Sequence, residues 1–164
     1  MSTIKKILPF VFASVIALFL VACGGSSAPA DGGSDSAEPG ITTTEFQNIS
    51  GASVTATGAY TGECTFDVTL EDGEGLFCTG LNDEGEWEIV ITQDGAELST
   101  DYVYQGASAS ETGFEPGTYT VTVKANAASG TVNVLAYPYG TIDFMDTEVE
   151  EIVATVQAFI DANA

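Results

Sequence analysis

Histidine and arginine are absent from this chain, and lysine occurs only at positions 5, 6 and 124. Without histidine there is no side chain that ordinarily exchanges a proton near neutral pH. Without arginine there is no planar fork to clamp a phosphate or carboxylate. Against three cations stand 24 Asp and Glu, a formal net charge of −21. Such a chain repels nucleic acid and anionic lipid headgroups, so no nucleic-acid partner is expected. No G-x-S-x-G elbow, C-x-x-C pair or EF-hand loop occurs. A two-carboxylate glycosidase is chemically open to so acidic a chain, but loops spent on tight turns offer it no deep cleft. The expectation is a protein that is not an enzyme.

A long apolar run is also missing. Ile7 to Leu20 is a 14-residue stretch, short of the roughly 20 residues that span a bilayer. With Lys5 and Lys6 before it and small Ala22 after it, it has the three parts of a secretory signal. Leu20-Val21-Ala22-Cys23 closes the run. This stretch resembles the lipobox of prokaryotic lipoproteins. The resemblance implies cleavage after residue 22, lipidation of Cys23 (diacylglycerol on the thiol, an acyl group such as palmitate on the amine) and export to the cell envelope. Gly24 in place of an aspartate implies the outer membrane, if the source is Gram-negative. Once Lys5 and Lys6 leave with residues 1–22, Lys124 is the single cation against 24 acids, a formal net charge of −23. Acidity of this degree suits a salt-rich habitat, where mobile ions screen self-repulsion.

Residues 24–40 (GGSSAPADGGSDSAEPG) carry no apolar periodicity and read as a flexible tether beside Cys23. A coil of 17 residues spans roughly 20–25 Å. Residues 41–140 read as strands, rich in Thr, Val, Tyr and Ile and punctuated by turns. Tyr119, Val121, Val123 and Ala125 alternate with Thr118, Thr120, Thr122 and Lys124. Val132, Val134 and Ala136 follow after Ser129-Gly130, which predicts a hairpin of the two segments. Trp87, Ile89 and Ile91 alternate with Glu88, Val90 and Thr92, and Asp94-Gly95 turns the chain toward Leu98–Tyr104. Further strands are expected at Ser53–Tyr60 and Cys64–Leu70. Seven or so short antiparallel strands predict a mainly β fold: a single β-sandwich, immunoglobulin-like or jelly-roll-like. Residues 141–164 supply one C-terminal amphipathic α-helix. Over Asp146 to Ala162, Val149, Ile152, Val153, Val156, Phe159 and Ile160 form one apolar stripe. Thr147-x-x-Glu150 fits a capping box. The stripe is expected to pack on the sandwich, with a docking role in a partner's groove as the alternative.

Four groups of residues are candidates for sites. Cys64 and Cys78, in an oxidising compartment, are expected to form a disulfide. A simple hairpin turn at Glu71–Gly75 would leave them roughly 13 Å apart at strand rise, beyond the Cα separation of about 7 Å that a bridge tolerates. Pairing therefore calls for an excursion over Gly73–Phe77, where Gly73 and Gly75 make a poor strand. Asp72 and Glu74 in one acidic loop, and Asp83 and Glu84 in another, are candidate Ca²⁺ ligands, although surface acids are expected in any chain this acidic. Trp87, Tyr102, Tyr104, Tyr137 and Tyr139 are candidates for a stacking platform, with burial in the core as the competing assignment. Among them Tyr137-Pro138-Tyr139 is the segment expected to be most exposed, because Pro interrupts a strand.

The segments Trp87-Glu-Ile-Val-Ile, Phe114-Glu-Pro-Gly-Thr-Tyr-Thr-Val-Thr-Val and Gly130-Thr-Val-Asn-Val resemble small β-sandwich domains of the pre-peptidase C-terminal and carbohydrate-binding kinds. The resemblance covers about a third of the chain and transfers no ligand residue. The first expectation is a lipid-anchored envelope protein that meets a protein partner or serves a structural role. A glycan-binding module is the second, and a Ca²⁺-dependent adhesion module the third. An exposed, coplanar aromatic pair would favour glycan. Buried Trp87, Tyr102 and Tyr104, with an exposed stripe on the helix, would favour a protein.

Overall fold

The computed structural model describes residues 39–163. The Cys23 lipidation motif, the signal segment and residues 24–38 of the tether lie outside them. Six antiparallel strands and one helix follow in the order β1 (Gly40–Glu45), β2 (Gly51–Leu70), β3 (Glu74–Gln93), β4 (Ala96–Val103), β5 (Gly106–Thr112), β6 (Gly117–Pro138) and α1 (Val149–Asn163). The expected short strands are in part fused. Ser53–Tyr60 and Cys64–Leu70 both belong to β2, and the predicted hairpin about Ser129-Gly130 is instead the single strand β6.

The three long strands bend at one level, and the bend makes the sandwich. Register shifts fall at residues 56–62 of β2 and 82–86 of β3. Left-handed backbone marks the same places: Gly58 and Ala59 in β2, Gly85 in β3, Ala127 and Gly130 in β6. Two glycines are required there. A Cβ on Gly85 would strike the Ala127 carbonyl, and one on Gly130 the Leu81 carbonyl. Beyond the bend the same strands form a second layer. One layer has five strands: β1, the first part of β2, the last part of β6, the first part of β3, and β5. The other has four: the last part of β2, the first part of β6, the last part of β3, and β4.

Alternate residues of both layers meet in one buried core. Ala52, Val54, Leu76, Val132 and Val134 come from the five-stranded layer. Phe66, Val68, Trp87, Ile89, Ile91, Val121 and Val123 come from the four-stranded layer. Asp94-Gly95 is the tight turn expected from the sequence, with φ of 52° and 79°, the left-handed pair that suits the twist of the β3–β4 hairpin. The β2–β3 connection differs from expectation. Leu70 pairs with Gly117 in one layer and Glu74 with Pro138 in the other. The 71–73 turn is thus an arch between layers, neither a hairpin nor an excursion, and Gly75 takes its place in the ladder opposite Tyr137.

The helix covers the outer face of the five-stranded layer. Its Ile152, Val156 and Ile160 join Phe77, Leu135 and Tyr137 in a second buried cluster. This explains why β3 and β6 lose their alternation here, since both faces of residues 75–80 and 132–137 are covered. The helix begins at Val149, later than Asp146. The Glu148 carbonyl accepts from the amides of Glu151 (3.0 Å) and Ile152 (3.1 Å), while Thr147 makes no capping bond among the described residues.

Candidate functional site

Trp87 is fully buried. Its indole Nε1 donates to Asn82 Oδ1 at 3.1 Å, and Asn82 Nδ2 donates to the Gly85 carbonyl at 2.8 Å. The ring is part of the core and pins the β3 bend, so it is unavailable to a ligand. Tyr137 is buried as well, a correction to the expectation that the Tyr137–Tyr139 segment is the exposed one. Its ring meets Phe77 at 5.2 Å and Phe159 of α1 at 4.9 Å between centroids. Helix packing, absent from a strand-by-strand reading, is the reason. Tyr139 is exposed, but its ring lies on Gly75 and Gly113, where a Cβ would come within 2.7 Å. It serves as a lid on two backbone segments.

Tyr102 and Tyr104 differ from the rest. They are 50% and 62% exposed, their ring centroids lie 6.2 Å apart, and their planes differ by 16°. Tyr102 stands on the edge strand β4 directly opposite Glu88 of β3, while its neighbour Val103 points into the core. The two rings are stacked rather than coplanar, an exposed aromatic pair at the rim of the four-stranded layer.

Beside it the outer face of that layer forms a groove of about 440 Å³. Its walls include Thr61, Glu63, Glu86, Glu88, Lys124 and Asn126. Strand register puts them there: Glu63 is opposite Lys124, Lys124 opposite Glu88, and Glu86 opposite Asn126. Lys124 Nζ donates to Glu88 Oε1 at 3.1 Å, and Asn126 Nδ2 donates to Glu86 Oε1 at 3.1 Å. The hydrogen bond to Glu88 raises the Lys124 pKa above its ordinary value. Desolvation opposes this, and the charges of Glu88, Glu63 and Glu97 add to the rise. The ammonium therefore stays a donor at physiological pH, in a groove otherwise rich in acceptors.

Apart from Glu86, which ends the 82–86 acidic loop considered for Ca²⁺, the groove residues carry no site signal in the sequence, although Lys124 and Glu88 fall on the outward side of the alternations there. Their convergence depends on cross-strand register, which one sequence does not print.

The cysteines are not joined. Cys64 lies opposite Val123 in the four-stranded layer and Cys78 opposite Val134 in the five-stranded layer, and no disulfide connects them. The expected bridge fails because β3 enters the ladder at once, without the excursion that would bring Cys78 back. Burial pushes the Cys78 thiol far above its ordinary pKa; the Asp101 charge adds to this, and a hydrogen bond with Ser110 partly offsets it. Cys78 is thus held protonated and is a poor nucleophile. Ser110 Oγ also donates to Asp101 Oδ2 at 2.9 Å, tying β5 to β4 across the layers.

The acidic candidates for Ca²⁺ are likewise dispersed. Glu74 Oε2 accepts from the Glu71 amide at 2.8 Å and closes the arch beside Asp72. Asp83, next to Glu84, lies at the β3 bend, where its carbonyl accepts from Gln105 Nε2 at 2.9 Å. Among the described residues no three His, Cys, Asp or Glu side chains come together as a metal site.

No family model matches the chain, and no curated protein does. Solved structures show a distant likeness. A family two carbohydrate esterase from Clostridium thermocellum is 19% identical at a TM-score of 0.36, over 63% of this chain and 32% of that one. The CENP-C cupin domain of Drosophila melanogaster is 14% identical at 0.36, over 68% and 86%. An 11S allergen from Cocos nucifera is 11% identical at 0.35, over 76% and 36%. The chain spans about a third of the length of the esterase. Likeness at this level assigns neither a family nor a ligand.

Proposed function

We propose that this protein is a non-catalytic, lipid-anchored glycan-binding module, whose site is the Tyr102–Tyr104 pair with the adjoining groove. The pair carries the reading. The two rings stack on each other, which holds them in place, and the ring faces left exposed suit the flat C–H face of a sugar ring, an apolar surface fringed by hydroxyls. Sugar hydroxyls both donate and accept, and the groove offers carboxylates, an ammonium, an amide and the Thr61 hydroxyl within one concavity. The helix stripe that a protein partner would need is spent: Ile152, Val153, Val156 and Ile160 are buried against the chain's own sheet. Absence of His and Arg and a buried, protonated Cys78 thiol support a binding role over a catalytic one. The lipobox at Cys23 supports anchorage in the cell envelope, with the tether lending reach.

Titration calorimetry of the full chain with neutral oligosaccharides tests the reading. Tyr102→Ala and Tyr104→Ala are each expected to weaken binding about three- to tenfold, consistent with roughly 0.5–1.5 kcal/mol per aromatic contact. Both rings are at the surface, so each variant is expected to keep its stability within about 0.5 kcal/mol. Binding that survives the double variant, or a chain that binds none of a broad glycan set, would overturn it.

A further inference from the structure

The last part of β2 is an open sheet edge with a pocket against it. β1 pairs with β2 only as far as Thr57, so, among the described residues, 60–70 are bonded to β6 on one side and to no strand on the other. The direction of each backbone group follows from one bond. The Thr69 amide donates away from β6, to Ser50 Oγ at 2.6 Å. Antiparallel pairing alternates residue by residue, so the N–H and C=O of Glu63, Thr65 and Asp67 point outward too. Side chains agree: Thr65–Thr122 (3.1 Å), Asp67–Thr120 (2.8 Å) and Thr69–Thr118 (3.0 Å) are hydrogen-bonded across the strands, as the closer, non-hydrogen-bonded pairs allow. Glu63, Thr65 and Asp67 amides have no acceptor among the described residues.

Against this edge lies a pocket of about 530 Å³ with Phe46, Ile49 and Phe66 in its wall and Glu45 and Asp67 beside them. A strand laid along the edge would turn one set of side chains toward the three apolar residues. Its other set would meet Glu63, Thr65 and Asp67, which lie exposed on the outer face. The layer's one cation, Lys124, is already bonded to Glu88. Exposed charge on an edge strand discourages like-charged copies from pairing with it, but the same charge attracts an oppositely charged strand.

We infer that the 63–67 edge of β2 is a strand-addition site for an extended cationic segment of a partner protein, with alternating basic and apolar residues. Main-chain bonds to Glu63, Thr65 and Asp67 would hold it, the pocket would take one apolar side chain, and the carboxylates would select for Lys or Arg. Glu63 also lines the proposed glycan groove, so the two sites adjoin and share that carboxylate, while the Tyr102–Tyr104 pair lies at the opposite rim of the layer, on β4.

The probe is a fluorescein-labelled acetyl-Lys-Val-Lys-Val-Lys-Val-Lys-amide peptide, added to the full chain at low salt. Binding is expected, with amide exchange at Glu63, Thr65 and Asp67 slowed at least tenfold. Thr65→Pro removes an outward N–H without touching the β6 ladder, and is expected to weaken binding at least tenfold. Glu63→Gln with Asp67→Asn is expected to weaken it at least threefold, whereas Tyr102→Ala leaves it unchanged. A peptide with Glu in place of Lys is expected not to bind. Three results would overturn the inference: no binding, binding without slowed exchange at these amides, or amides already protected in the free chain. The last would mean that the chain's own N-terminal segment or a second copy covers the edge. The exchange measurement uses the unaltered protein and stands even if Thr65→Pro fails to fold.

Discussion

At the scale of single residues, Asn82 shows how one buried polar group organises its surroundings. It is 3% exposed, accepts from the Trp87 indole and donates to the Gly85 carbonyl. Both partners sit at the bend where β3 passes between layers. Asn82→Ala strands a buried indole N–H and a carbonyl, at a cost of about 1–3 kcal/mol. The expected result is a melting temperature lowered by roughly 5–15 °C, read through the fluorescence of the chain's single tryptophan. A drop of less than about 2 °C would show that water replaces the amide and that Asn82 is not structural. The alternation around Trp87 was legible in the sequence; its hydrogen bond to a residue five positions earlier was not. The tyrosines divide in the same way. Tyr102 and Tyr104 lie at an edge strand beside an inward Val103, whereas Tyr137 sits where a helix lands. Strand pattern alone cannot tell an outward face open to solvent from one covered by another element.

At the scale of elements, turns and bends look alike in sequence. Asp94-Gly95 and Ser129-Gly130 are both small polar pairs between apolar runs. The first reverses the chain and the second only bends it. What separates them is the partner strand: beyond Gly130 the chain continues along β3, pairing from Leu81 to Glu74. The two glycines also answer to different demands. Around Gly95 there is open space, whereas a Cβ on Gly130 would meet the Leu81 backbone. Gly95→Ala is therefore expected to cost only the left-handed penalty, about 1 kcal/mol. Gly130→Ala adds a collision with backbone that cannot move without breaking the ladder, and is expected to cost about 2–3 kcal/mol. Denaturant melts of the two variants give the comparison. Equal losses would mean that β6 bends by some route other than close approach at Gly130. The helix was the most legible element, because all six residues of its expected stripe are buried or half-buried. Its start was read early because Thr147-x-x-Glu150 satisfies a pattern without making the bond.

At the scale of the whole molecule, charge and anchorage bear on each other. The chain without residues 1–22 carries one cation and 24 acids, and the described part offers no basic face with which to hold an anionic bilayer. No described helix is long and apolar enough to cross one. If the lipobox reading holds, attachment rests on acyl chains at Cys23, and two or more chains suffice for stable anchoring. Hydrophobic anchoring and electrostatic adsorption respond in opposite ways to salt, since ions screen charge but leave apolar transfer intact or strengthen it. The native protein is therefore expected to stay in the membrane fraction through a wash in concentrated NaCl and to leave it in detergent. Cys23→Ala is expected to accumulate as uncleaved precursor or to appear in the soluble fraction, with the melting temperature of the domain unchanged. Retention of a normally processed Cys23→Ala variant would remove the lipid from the account. Release of the native protein by salt alone would place its attachment on a partner, and the acidic edge of β2 would then be the first surface to test.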